Sequence, residues 1–278
     1  MKAIYKETID RLQEHYGRGE AESISHLLFE DLLGIPRTKR LTGEIQEWNA
    51  SHDVTYQDAM ERLLKHEPIQ HITGHAHFYG HVFSVNRHTL IPRPETEELV
   101  DLIVRENQAK ALKILDIGTG SGCIAIALNL SLTGSKVIGW DISKKALDIA
   151  DRNARDLNAQ VDFHLMDILK DKVSGFFDLI VSNPPYIPVS DQKVMRENVL
   201  QFEPYDALFV TDDDPLLFYR AIGLLGKSLL NAGGRIYFEI HENFGNAIRI
   251  MLKKMGYDPV IVYQDMQGKD RMINAEKP

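Results

Sequence analysis

The chain has 278 residues, 44% hydrophobic and 26% charged, with 40 acidic against 32 basic side chains and a formal net charge of −8. That is long enough for one large or two ordinary domains, and the acidic balance disfavours a protein that grips nucleic acid by neutralising phosphates. No stretch approaches the ~20 apolar residues of a membrane span, Met1-Lys2-Ala3-Ile4-Tyr5-Lys6-Glu7 lacks the apolar segment of a signal peptide, and Cys123, the only cysteine, excludes an internal disulfide, so no membrane association and a cytoplasmic location are expected.

Residues 1–75 read as short helices, from apolar positions spaced by three and four. Tyr5, Ile9, Leu12 and Tyr16 share one helical face. Ile24, Leu27, Leu28 and Leu32 share another, and Gly34 and Pro36 end that helix. Thr55 with Asp58 predicts an N-cap ahead of Met60, Leu63 and Leu64. Residues 76–90 read as a hairpin linker, because aromatic and β-branched residues alternate around Gly80 and Asn86. His71, His75, His77 and His81 cluster nearby, but no cysteine or carboxylate completes a metal site of ordinary spacing, so no metal is expected.

From residue 91 to 278 strands and helices alternate. Strands are expected at 112–117, 136–141, 161–165, 177–182, 234–240, 258–263 and 271–275, and helices at 95–106, 121–130, 143–157, 214–231 and 243–255. This is the pattern of an α/β, Rossmann-like doubly wound sheet, mostly parallel. The last two strands lie too close for a crossover helix, so the last one should run antiparallel. Arg93, Glu95 and Thr96 open this region between Pro92 and Pro94, where Thr96 or Glu95 could cap the following helix.

The first strand runs into Gly118-Thr119-Gly120-Ser121-Gly122. Glycines at a strand-to-helix turn let the backbone pass close to a ligand. The spacing is G-x-G-x-G rather than the G-x-G-x-x-G of dinucleotide binders, which argues against a nicotinamide cofactor. Asp116 sits just before this turn, either capping it or holding an ammonium group. Cys123, which opens the following helix, reads as a small packing residue. The second strand ends in Asp141, roughly 20 residues past the glycine turn, where a carboxylate suits a ribose diol. Asp167 and Ile168 follow the third strand. Asp212-Asp213-Asp214 reads as a solvated, helix-starting turn.

The apolar run Phe177-Asp178-Leu179-Ile180-Val181-Ser182 closes on Asn183-Pro184-Pro185-Tyr186. A strand here puts the tetrapeptide at the carboxyl edge of the sheet, where open α/β sheets bind ligands. Two prolines stiffen the loop and leave its carbonyls free to accept. A side-chain amide, two fixed carbonyls and an aromatic face can together hold a planar NH2 group.

Glycine loop, Asp141 and NPPY in this order resemble a class I S-adenosylmethionine-dependent methyltransferase. Further stretches narrow the resemblance: Pro68-Ile69-Gln70-His71-Ile72-Thr73-Gly74, Phe78-Tyr79-Gly80, Phe83-Ser84-Val85, Leu90-Ile91-Pro92-Arg93-Pro94-Glu95-Thr96-Glu97 and Phe202-Glu203-Pro204. With them the chain is similar to the release factor glutamine methyltransferase family over nearly its whole length, and the segment from Asp265 to Arg271 also fits. His241 departs from it, because many relatives carry glycine soon after the position of Glu239.

The resemblance implies that S-adenosylmethionine donates a methyl group, leaving S-adenosylhomocysteine. The acceptor would be the side-chain nitrogen of the glutamine in the Gly-Gly-Gln motif of class-1 peptide chain release factors. It implies a helical substrate-recognition domain over residues 1–75, a cofactor site of Gly118, Thr119, Gly120, Ser121, Gly122, Asp141, Ile168 and Asn183, and a substrate pocket of Asn183, Pro184, Pro185 and Tyr186. Asn183, Pro184 and Tyr186 would carry catalysis, with Arg93, Glu95 and Thr96 in support. Ile168 would pack on the adenine and Asp167 accept from its amine. No direct nucleic-acid partner is expected, and the protein is expected to be a monomer. The runner-up activity is an adenine-N6 DNA methyltransferase, since adenine N6 is also a planar, weakly nucleophilic NH2. It would have to flip a base, and no basic target-recognition region is evident.

Overall fold

The computed structural model describes residues 2–42, 48–108 and 110–278. The chain separates into two compact units: residues 1–75 with 196–202, and residues 76–195 with 203–278.

The first unit is helical. It contains α1 (Lys2–Tyr16), α2 (Arg18–Leu27), a π-helical turn at Leu28–Leu32, α3 (Arg37–Thr42), α4 (Ala50–Leu64) and α5 (Ile69–Thr73). Leu12, Ile24, Leu28, Phe29, Tyr56, Met60 and Leu63 form its core, and Gly34 turns the chain out of the π-helical turn at φ 65°. The start of α4 differs from expectation. Asn49, not Thr55, is its N-cap, with Oδ1 accepting from His52 N at 3.0 Å. The His52 ring answers by accepting from Asn49 N, so a reciprocal cap starts the helix six residues earlier.

The second unit begins with the hairpin β1 (His75–Phe78) and β2 (His81–Ser84), joined by Tyr79 and Gly80 at φ 49° and 76°. Positive φ at both turn residues matches the twist of a tight hairpin. Next come α6 (Pro94–Glu106), β3 (Lys113–Ile117), α7 (Cys123–Ser131), β4 (Lys136–Asp141), α8 (Lys144–Asp156), β5 (Val161–Leu165) and β6 (Phe177–Ser182). After β6 lie β7 (Ile187–Pro188), a 3₁₀ turn at Val189–Val194 and α9 (Glu197–Phe202), the last of which groups with the first unit. The chain continues through α10 (Tyr205–Leu208), β8 (Phe209–Val210), α11 (Leu217–Leu229), β9 (Leu230–Glu239), α12 (Gly245–Lys254), β10 (Val260–Gln264) and β11 (Asp270–Glu276).

Seven strands form one sheet in the order β10-β11-β9-β6-β3-β4-β5. Pairings among β9, β6, β3, β4 and β5 are parallel, and β11 runs antiparallel to both β9 and β10. The expected class and the antiparallel final strand are therefore both present. β9 starts four residues earlier than expected, and α11 starts at Leu217 rather than at Asp214. Asp214 instead grips Arg220 through two hydrogen bonds of 2.7 Å.

Both faces of the sheet are covered, which is why its strands read as continuous apolar runs. Ile114, Leu179, Val181 and Tyr237 pack with α6 and α7 residues such as Leu99, Ile103 and Ile126. Leu115, Ile117, Ile180, Ile236 and Phe238 pack with Tyr219, Ile222, Ile248 and Leu252 of α11 and α12. Each fully buried side chain of this kind contributes ~1.5–3 kcal/mol, so the strand ends are held firmly. The chain leaves β3 for β4 and β5 on one side, then crosses to β6 on the other. In open α/β sheets ligands bind at such a reversal, which falls here at the carboxyl ends of β3 and β6. Among the described residues no helix is long and apolar enough to cross a membrane, and no three His, Cys, Asp or Glu side chains gather as a metal site.

Candidate functional site

Residues 118–122 form the turn from β3 into α7. Gly118, Gly120 and Gly122 adopt φ of 74°, 57° and 80°, a region costly for any residue with a Cβ. An added Cβ on Gly118 or Gly120 would meet nothing within 4 Å, so both glycines border open space. The loop is latched to β4: Gly118 N and Thr119 N both donate to the Trp140 carbonyl, at 2.8 and 2.9 Å. Asn153 on α8 clamps it from another side, donating to the Ser121 carbonyl at 2.9 Å while exchanging hydrogen bonds with the Ser84 backbone.

Asp141 accepts from Gly120 N through Oδ2 and from Ser143 N through Oδ1, both at 2.8 Å. A carboxylate offers about four acceptor positions, so Asp141 keeps acceptor capacity beyond its backbone donors. Burial raises the Asp141 pKa, and these backbone donors oppose the rise. Ile142, which follows directly, is an exposed apolar residue.

Asp116 lies in β3, fully buried. Its Oδ2 takes the Thr119 hydroxyl at 2.6 Å, whereas Oδ1 lacks a hydrogen-bond partner. Burial pushes its pKa up to about 7. Cys123 is buried, and desolvation pushes its thiol up to about 12, so it packs as a neutral group. Asp167 caps Leu169 N at 3.0 Å and pairs with Lys170 at 2.7 Å, and Ile168 packs half-buried against the apolar layer that includes α11 and α12.

These groups suit the donor implied by the resemblance. Asp116 Oδ1, which has no hydrogen-bond partner, would suit an ammonium or its water, the remaining acceptor capacity of Asp141 a diol, and the bare Gly118 and Gly120 a close-lying chain.

Ser182 at the end of β6 donates to the Ile117 carbonyl at 2.6 Å and ties the next loop to β3. Asn183 and Tyr186 follow, half-buried, with Pro184 buried between them. Asn183 Nδ2 donates to Thr96 Oγ1 at 3.2 Å, and Thr96 Oγ1 donates to Glu239 Oε2 at 2.6 Å. Tyr186 donates its phenol to Glu239 Oε1 at 3.0 Å, and its ring meets His241 edge-on at 6.1 Å. Tyr219 fixes the Glu239 carbonyl at 3.1 Å. Desolvation raises the Glu239 pKa, while hydrogen bonds from Thr96 and Tyr186 and the charge of Arg271 oppose that rise. Desolvation and the Glu239 charge hold the Tyr186 phenol far above its ordinary pKa, so Tyr186 does not act as a base.

Arg93 donates to buried Glu203 at 2.5 Å, and the other Glu203 oxygen takes Ile91 N at 3.3 Å. The segment preceding α6 is thereby pinned to Glu203, ahead of α10. Neither Glu95 nor Thr96 caps α6: Arg93 occupies the cap position without a side-chain bond to the helix end, and the Thr96 hydroxyl is spent on Glu239. Sequence reasoning passed over Glu239 and Asn153 as site residues. A lone acid at the end of a strand and an asparagine inside a helix carry no local signature.

The Methyltransferase small domain family matches residues 95–201, and the PrmC N-terminal domain family matches residues 3–74. The chain is 46% identical over 268 residues to a release factor glutamine methyltransferase of Bacteroides thetaiotaomicron, covering 96% of each chain. It is 39% identical to one from Flavobacterium psychrophilum, covering 96% of this chain and 95% of that one. A methyltransferase structure from Pyrococcus furiosus shares the fold at a TM-score of 0.54 and 18% identity, over 80% of this chain and 98% of that chain. The chain therefore belongs to the release factor glutamine methyltransferase family, and it is an S-adenosylmethionine-dependent methyltransferase.

Proposed function

We propose that this enzyme methylates the side-chain nitrogen of the glutamine in the Gly-Gly-Gln motif of class-1 peptide chain release factors. The observation that carries this reading is the orientation of Asn183. Its NH2 is committed to Thr96, which leaves Oδ1 as a free acceptor on a stiff loop.

A glutamine amide nitrogen is a poor nucleophile, because its lone pair is delocalised into the carbonyl. Asn183 Oδ1 and the Pro184 carbonyl would each accept one amide hydrogen and so favour a pyramidal nitrogen. They would also stabilise the positive charge that grows on it, as fixed dipoles aimed at developing charge. Tyr186 would hold the amide plane. No strong base is required, since the alkylated nitrogen sheds its proton readily. When bound, S-adenosylmethionine supplies an electrophilic methyl group on a sulfonium and leaves as the thioether. Asp116, Asp141 and the glycine loop would hold its amino-acid and ribose parts. Alignment of acceptor and donor can supply ~7–11 kcal/mol, which suits a site with no acid–base machinery of its own.

Residues 1–75 are proposed to recognise the release factor, and the protein is proposed to act as a cytoplasmic monomer without a nucleic-acid partner. The test is mass spectrometry of a recombinant release factor before and after incubation with enzyme and cofactor, with duplex DNA as the control acceptor. A gain of one methyl group on the Gly-Gly-Gln glutamine is expected. Labelling of DNA in place of protein would overturn the reading.

A further inference from the structure

Glu239 ends β9 with only 1% of its surface exposed, and it meets the NPPY loop through two separate hydroxyls. An ionised carboxylate has no hydrogen to give and can only accept. Arg271 lies close enough for its charge to oppose the rise that burial imposes on the Glu239 pKa, while its Nη1 donates to the Ile240 carbonyl at 3.4 Å and its Nε pairs with Asp265 at 3.2 Å.

The consequence runs outward by one bond. Thr96 has a single hydroxyl hydrogen, and Glu239 Oε2 takes it at 2.6 Å. Toward Asn183 the same oxygen can only accept, so Asn183 must turn Nδ2 to it, as it does at 3.2 Å. A carboxamide has nearly the same shape when flipped end for end, so packing alone does not choose its orientation. A hydroxyl free to rotate would serve either face of the amide. One bound to an acceptor-only group serves one.

We propose that Glu239 and Thr96 are positioning residues that set the polarity of the Asn183 amide, so that Oδ1 rather than Nδ2 faces the substrate. This rests on the amide-methylation reading above. A flipped Asn183 would present a donor to the N–H groups of the substrate amide and repel the group it must hold. Glu239 also fixes the Tyr186 phenol, so one buried carboxylate orients both ends of the tetrapeptide, Tyr186 directly and Asn183 through Thr96.

The test uses the full-length enzyme, a purified class-1 release factor and four variants. Thr96→Val keeps the branched shape and deletes the hydroxyl. Thr96→Ser keeps the hydroxyl. Glu239→Gln keeps the size and adds a donor. Asn183→Ala reports on the underlying reading. Thr96→Val and Glu239→Gln should each lower kcat at least about tenfold with cofactor KM within about threefold, because they act in the transition state only. Their combination should cost little more than either alone, since both break one relay. Thr96→Ser should recover kcat to within about threefold of the parent enzyme, the rescue expected of a hydroxyl role. Thermal unfolding and cofactor binding establish that each variant is folded, and if Glu239→Gln does not fold, the Val and Ser pair at position 96 decides. Full activity in folded Thr96→Val, or equal loss in the Ser and Val variants, overturns the relay while Asn183→Ala remains impaired. Full activity in Asn183→Ala would instead remove the reading beneath it.

Discussion

Asp141 Oδ2 accepts the backbone N–H of Gly120 at 2.8 Å, so the carboxylate that ends β4 also shapes the glycine loop after β3. Its other oxygen takes Ser143 N at the start of α8. Three elements thus converge on one side chain before any ligand arrives. Preorganisation of this kind lowers the ordering cost of binding.

Replacing Asp141 by Asn should therefore weaken S-adenosylmethionine binding at least tenfold, or ~1.4 kcal/mol. The new NH2 would face one of two backbone donors and could no longer accept from both hydroxyls of a ribose. Calorimetric titration with cofactor measures this directly. An unchanged Kd would take Asp141 out of the cofactor site.

In the loop after β6, Asn183→Ala removes one of two fixed acceptors. Cofactor affinity should stay within a few-fold of the parent, while turnover on a release factor falls by at least about tenfold, equivalent to ~1.4 kcal/mol. Single-turnover kinetics at saturating cofactor separate the two. Unimpaired turnover would exclude Asn183 from the chemistry.

Asp116 gives a pH dependence whose sign follows from burial. Its pKa rises from 3.8 to about 7 in the folded chain, mainly because burial penalises the charge. The neutral acid is thus favoured by folding, and its contribution to stability is complete below pH 3.8 and lost as pH climbs toward 7. Asp116→Asn stays neutral throughout. The Tm of the parent enzyme relative to this variant should fall by several degrees between pH 4 and pH 8. Cofactor affinity should move the other way, rising as pH passes 7, because an ammonium group prefers the ionised carboxylate. A pH-independent difference in Tm would show that Asp116 titrates normally.

Gly139 lies between Asp116 and Phe163 in the parallel register of β3, β4 and β5. A Cβ there would fall 2.6 and 2.7 Å from two Phe163 ring carbons and 3.0 Å from Thr119 Oγ1. Gly139→Ala should cost ~1–3 kcal/mol as overpacking. It should also weaken cofactor binding, because Thr119 holds the glycine loop to Asp116. The shift in chemical-denaturation midpoint measures the first effect. No shift would mean that the Phe163 ring swings clear.

Much of the fold could be read along the chain because its signals are local. Phe177-Asp178-Leu179-Ile180-Val181-Ser182 is apolar enough to require cover on both faces, and β6 runs over those same six residues. Gly118, Gly120 and Gly122 announced a turn between strand and helix, and in it all three adopt positive φ. Thr55 misled because Thr and Asp are good caps in isolation. Asn49 with His52 caps better, satisfying two backbone donors reciprocally. Thr96 misled in the same way, since its hydroxyl finds a buried carboxylate rather than the helix end.

What the order of residues could not express is which distant groups share a hydrogen. Asn183 meets Thr96 across 87 residues, and Thr96 meets Glu239 across 143. Nothing near Glu239 marks it as part of a site. Its role arises because β9 pairs beside β6 in the sheet, which brings the end of one strand to the loop after the other. Composition, periodicity and glycine placement act over a few residues and specify strands, helices and turns. The polarity of a buried carboxylate–hydroxyl–amide chain exists only once strands distant in sequence lie side by side and water has been excluded.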